Sequence, residues 1–91
     1  MSEPLDVMRK RLHMRSIRRG IKEMDLILTE FSRQHLATLS QTELELYDAL
    51  LSESDHDLYQ WVSGQAEEPA RYRALMDLIR ANSVGLTRPA E

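Results

Sequence analysis

The chain has 91 residues, a hydrophobic fraction of 42%, a formal net charge of −3 and no cysteine. That length suits one domain. The lack of cysteine removes disulfides, thiolate metal sites and cysteine nucleophiles together. The mean charge hides a split: residues 1–22 carry seven basic and two acidic side chains, a net of +5, and residues 23–91 carry five basic and thirteen acidic, a net of −8. A basic end on an acidic body favours oriented docking to an acidic surface, and it also opens a nucleic-acid reading.

Nothing in the pattern reads as strand. Leu, Met, Glu, Arg and Gln dominate and β-branched runs are missing, so the expected class is all-α, a compact bundle of five short helices. The first begins near Pro4, with Leu5, Met8 and Leu12 as an apolar stripe at i, i+3, i+7. Met14 and Ile17 leave that stripe, and Gly20 interrupts the helix. The second runs from about Ile21 to Ala37, with Ile21, Met24, Ile27, Leu28 and Phe31 on one face and His35 at its end. Ser40-Gln41-Thr42-Glu43 has the form of a capping box and opens a third helix with Leu44, Tyr47, Leu50 and Leu51 inward.

Ser54 or Asp55 caps a fourth helix carrying Leu58, Trp61 and Val62, and Gly64 stops it. Pro69 starts the fifth, with Tyr72, Leu75, Met76 and Ile79 inward, ending between Asn82 and Gly85. Residues 1–85 are read as the single helical domain and 86–91 as a loose tail. Trp61 and the methionines Met8, Met14, Met24 and Met76 read as core.

Much familiar chemistry is missing. His13, His35 and His56 lack the spacing of a metal site, with His35 at a core edge and the other two at the surface. Gly20, Gly64 and Gly85 are isolated, so no Gly-rich loop cradles a phosphate. Carboxylate pairs such as Asp55/Asp57 and Glu67/Glu68 sit at helix starts, where the helix dipole explains them without catalysis. No apolar run approaches the roughly 20 residues needed to span a bilayer. The expectation is a protein that is not an enzyme, binds no metal and inserts into no membrane.

The unusual segment is Arg18-Arg19-Gly20-Ile21-Lys22-Glu23-Met24-Asp25, where three basic and two acidic groups crowd eight residues around a helix break. Arg19 and Glu23 would share a face if the backbone were helical through both. A solvated i, i+4 pair of that kind contributes only about 0.3–0.5 kcal/mol, and Arg before Glu is the weaker order. The other reading is a rigid corner presenting a guanidinium fork, an open backbone and a carboxylate to a partner.

Arg19-Gly20-Ile21-Lys22-Glu23, followed by Met24-Asp25, resembles the Arg-Gly-x-x-Glu signature of the bacterial SdhE-type succinate dehydrogenase assembly factors, which their mitochondrial relatives share. Leu39-Ser40-Gln41-Thr42-Glu43, Asp57-Leu58-Tyr59-Gln60-Trp61 and the amphipathic stretch Tyr72 to Ile79 match further family stretches. The likeness covers roughly residues 9–82. Where many members carry an aromatic residue before the motif, this chain has Arg15-Ser16-Ile17-Arg18.

The resemblance implies a five-helix bundle that promotes covalent FAD attachment to the flavoprotein subunit of succinate dehydrogenase, and in some bacteria of fumarate reductase. It implies Arg19, Gly20 and Glu23 as the partner-binding core, with Arg18, Lys22 and Asp25 as supporting neighbours. The FAD would belong to the flavoprotein, with none held stably by this chain. The free chain is expected to be a monomer in the bacterial cytoplasm: Glu3 and Asp6 interrupt the basic N-terminus where a mitochondrial transit peptide would be poor in acid. The competing readings are a nucleic-acid-binding helical module, against which the acidic pI of about 5.6 stands, and an antitoxin-like module that only sequesters a partner.

Overall fold

A computed structural model describes residues 3–83. In chain order these form α1 (Leu5–Ser16), α2 (Lys22–His35), α3 (Gln41–Leu51), α4 (Asp55–Val62), a 3-10 turn at Ala70–Tyr72, and α5 (Arg73–Ser83). Among the described residues there is no strand, and the expected all-α bundle of five helices is the fold found. The expected tail at 86–91, and the last of the residues expected to end α5, lie outside the described residues.

α2 is the central helix. Met24, Ile27, Leu28 and Phe31 are buried along it, and it packs against α1, α4 and α5. The apolar faces of α3 (Leu44, Tyr47, Leu50, Leu51), α4 (Leu58, Trp61) and α5 (Leu75, Met76, Ile79) close the core with Tyr72. The Trp61 and Tyr72 rings lie 6.0 Å apart, so the tryptophan is a core residue as its spacing predicted.

α1 is mounted differently. Only Met8, Leu12 and Ser16 are buried along it, while Leu5 and Val7 are exposed and Met14 is 62% exposed. The expectation of Met14 as gap-filling core is therefore corrected. Arginines fasten the helix instead. Arg9 donates to the carbonyls of Leu36 (2.8 Å) and Leu39 (3.3 Å) beyond the end of α2. Arg11 bridges Glu3 and Asp48 at 2.9 Å each, and Arg15 also pairs with Asp48. His13, expected at the surface, is half-buried with Nδ1 2.7 Å from Ser32 Oγ on α2.

Helix ends follow local chemistry. The capping box is present in both directions, Glu43 N–H to Ser40 Oγ at 3.2 Å and Ser40 N–H to Glu43 Oε1 at 2.8 Å. Ser54, rather than Asp55, caps α4 by accepting from Asp57 N–H. At the other end of α4, Gly64 takes φ +81. Its N–H reaches Trp61 O while Gln65 N–H reaches Gln60 O, the paired bonds of a Schellman stop that favour glycine. α2 ends at His35, two residues before the expected Ala37, and a turn follows.

Candidate functional site

The break between α1 and α2 is not made where the sequence placed it. α1 ends at Ser16, four residues before Gly20. There the Ser16 hydroxyl bonds back to Leu12 O at 2.7 Å and lies 2.6 Å from the Tyr47 hydroxyl inside the core. With Ser16 donating to the carbonyl, the tyrosine donates to Ser16. Ile17 is extended, and Arg18 takes φ +58, a left-handed conformation unusual for a side chain of its size. Asp25 holds it there: Oδ1 accepts the Arg18 N–H at 2.8 Å and the Thr29 hydroxyl at 3.2 Å. The reversal is thus fixed by a carboxylate one turn into α2, and Gly20 needs no positive φ.

Gly20 has a different reason to be glycine. Its N–H donates to Asp55 Oδ2 at 2.8 Å, and a Cβ on it would stand 3.0 Å from that same oxygen. The other oxygen, Oδ1, accepts from Arg19 Nε at 2.7 Å. The rest of the guanidinium is engaged too, with Nη1 on Arg15 O at 2.9 Å and Nη2 on Leu51 O at 3.1 Å. Its side chain is only 12% exposed. A cation therefore sits on the C-terminal carbonyls of α1 and α3, and its counter-ion opens the N-terminus of α4. All three placements agree with the helix dipoles.

This arrangement corrects the expected geometry of the corner. Arg19 does not hold out its fork, and it does not share a face with Glu23. What faces outward is Arg18, Gly20, Lys22 and Glu23, all exposed, with Asp25 half-buried behind them. No side chain caps the start of α2. An open depression runs along its first two turns, lined among the described residues by Lys22, Glu23, Asp25, Leu26 and Thr29. Leu26 is exposed there.

The structure adds Asp55 to the residues of the corner. In the sequence Asp55 reads as a dipole-compensating carboxylate at a helix start, and no local signal joins it to a residue 36 positions earlier. The internal bonds of Arg9, Arg11, Arg15 and Arg19 also change the meaning of the basic N-terminus. Four of its seven cations are bound to acceptors of this chain, which weakens the nucleic-acid reading, since phosphate neutralisation needs outward cations.

Fold and corner together define a small all-helical protein whose Arg-Gly turn is wired into its own bundle and whose next residues face outward. The chain belongs to the family described as the flavinator of succinate dehydrogenase, whose model matches residues 10–83. It is similar to proteins named succinate dehydrogenase assembly factor 2, mitochondrial. The Candida glabrata protein is 46% identical over 63 residues, covering 69% of this chain and 41% of that protein. The Debaryomyces hansenii protein is 48% identical over 61 residues, 67% of this chain and 43% of that protein. The Danio rerio protein is 37% identical over 81 residues, 86% of this chain and 51% of that protein. The chain thus spans about half or less of the length of these relatives. Their names are mitochondrial, from yeasts and a fish, and this overturns the expectation of a bacterial cytoplasmic protein.

Proposed function

We propose that this chain acts in succinate dehydrogenase assembly by binding the flavoprotein subunit through the outward side of the α1–α2 corner and promoting covalent FAD attachment there. Family membership supports the assembly role, and the relatives carry that role in their names. The observation that carries the corner's part is its division of labour. Arg19 and Asp25 fix the turn from within, while Gly20, Lys22, Glu23 and Arg18 stay accessible around it.

In this reading the flavoprotein owns the FAD and the reacting groups, and the chain binds no FAD stably and makes no bond of its own. It acts as a monomer, and the flavoprotein of fumarate reductase is a second client. Its contribution is to hold the flavoprotein in the geometry where the flavin is attacked. Orientation of that kind is able to supply several kcal/mol of a barrier. Glu23 meets a basic or amide group of the partner, and the exposed backbone at Gly20 allows close approach.

The test is co-expression of the flavoprotein subunit with and without the chain, followed by denaturing gels read by flavin fluorescence. Covalent flavin should rise with the wild-type chain and fall with folded Glu23→Gln or Gly20→Ala. Wild-type flavinylation with both variants, each shown to be folded, would remove the corner from the interface. Equal flavinylation with and without the wild-type chain would remove the function.

A further inference from the structure

The Arg-Gly pair of the motif has a receptor within this chain. Asp55 receives Arg19 Nε at 2.7 Å on one oxygen and Gly20 N–H at 2.8 Å on the other. Two consecutive residues of the α1–α2 linker are thereby held to the first residue of α4. Three features show that the carboxylate is shaped for this task. The Arg19 side chain is 12% exposed and that of Asp55 21%, so the pair is shielded on most sides. The remaining Arg19 donors are fixed on Arg15 O and Leu51 O, which leaves the guanidinium one orientation. The glycine leaves room for an oxygen that a Cβ would meet at 3.0 Å.

We infer that Asp55 is a positioning residue for partner binding, setting the Arg19-Gly20 turn so that Gly20, Lys22 and Glu23 reach the partner in one register, and that Arg19 acts through Asp55 and not by touching the partner. The inference rests on the proposed docking of the corner to the flavoprotein. It assigns the arginine an internal role and adds a residue 32 positions beyond the motif. The chain between α1 and α2 is five residues long, Ile17 to Ile21. Without the clasp, Asp25 would still hold Arg18, but nothing of comparable strength would hold Gly20.

Two measurements separate this from a plain stability effect. In the free protein, amide hydrogen exchange compares Gly20 with Glu43, whose N–H bonds to Ser40 Oγ in the α3 cap. Asp55→Ala should speed exchange at Gly20 at least tenfold and leave Glu43 unchanged. Asp55→Asn, which keeps one acceptor oxygen and loses the charge, should fall between and serves if the alanine variant does not fold. Titration into purified flavoprotein subunit then compares Asp55→Ala, Arg19→Ala and the double variant. Each single change should weaken binding about tenfold, and the double should be no weaker than the worse single, because both remove one clasp. In flavinylation assays the variants should need more chain for half-maximal rate while reaching the wild-type plateau.

Unchanged Gly20 exchange in both Asp55 variants overturns the inference. So does multiplication of the Arg19 and Asp55 effects in the double variant, which would place the guanidinium on the partner. A wild-type chain that fails to bind flavoprotein at all disposes of the docking reading and, with it, of this role for Asp55, even where Gly20 exchange shows the clasp intact.

Discussion

At Gly20 the fold depends on the size of one hydrogen atom. A methyl group there would press on Asp55 Oδ2 from 3.0 Å, and the carboxylate has little room to yield because Arg19 grips its other oxygen. Gly20→Ala should therefore lengthen or break the Gly20 N–H bond and cost about 1 kcal/mol, measured by urea denaturation, with helix content by circular dichroism unchanged. Tyr47 is a second decisive residue. Burial pushes its hydroxyl up to about 12. Because the folded pKa lies above the ordinary value near 10, the stabilisation is complete below pH 10 and declines as pH rises from 10 to 12. Tyr47→Phe should be less stable by about 1 kcal/mol at neutral pH. It should also lose part of the steep alkaline fall, as a pH series of thermal midpoints would show.

Among the elements, α1 differs most from its neighbours. Its buried stripe is short and its hold on the bundle is ionic, centred on Asp48 of α3. Hydrogen bonding by Arg11 holds the Asp48 carboxyl below the usual carboxylate range, and the same arginine lowers Glu3. A depressed carboxylate stabilises the fold above its unfolded value, near 3.8 for Asp48. That contribution is lost as pH falls through the lower folded value. Asp48→Asn should cost about 0.5–1 kcal/mol at neutral pH. It should also flatten the acid limb of a stability profile below about pH 4, the decisive comparison with wild type. At α3 the reciprocal cap predicts a simpler result. Ser40→Ala should lower stability by about 1 kcal/mol, measured by urea denaturation, without speeding amide exchange at Gly20, since the cap lies away from the corner's bonds. This cap was fully legible in the sequence, because both partners lie within four residues. The end of α1 was not. It depends on Tyr47 and Asp25 capturing Ser16 and Arg18, and those meetings exist only after packing.

For the molecule as a whole, α2 is the piece that everything else needs. Phe31 is fully buried, its ring 5.0 Å from that of His35 and 5.5 Å from that of Tyr47. Phe31→Ala should cost about 3–5 kcal/mol, a large part of the marginal stability of so small a domain. The loss of the bundle should carry the corner with it. Arg15 O, Leu51 O and Asp55 come from three different helices, so the clasp cannot outlast their packing; loss of cooperative unfolding together with loss of Gly20 amide protection would show this. The amino-acid sequence by itself determined the helical class, the cap at Ser40, the stop at Gly64 and the apolar faces of α2 to α5. Each of these is a local pattern read over one or two turns. Only the tertiary structure decided that Arg19 turns inward, that Asp55 receives it, that α1 is fastened by arginines and that Met14 faces outward. Charged side chains choose partners by distance after packing, and 36 residues of separation leave no periodic trace of that choice.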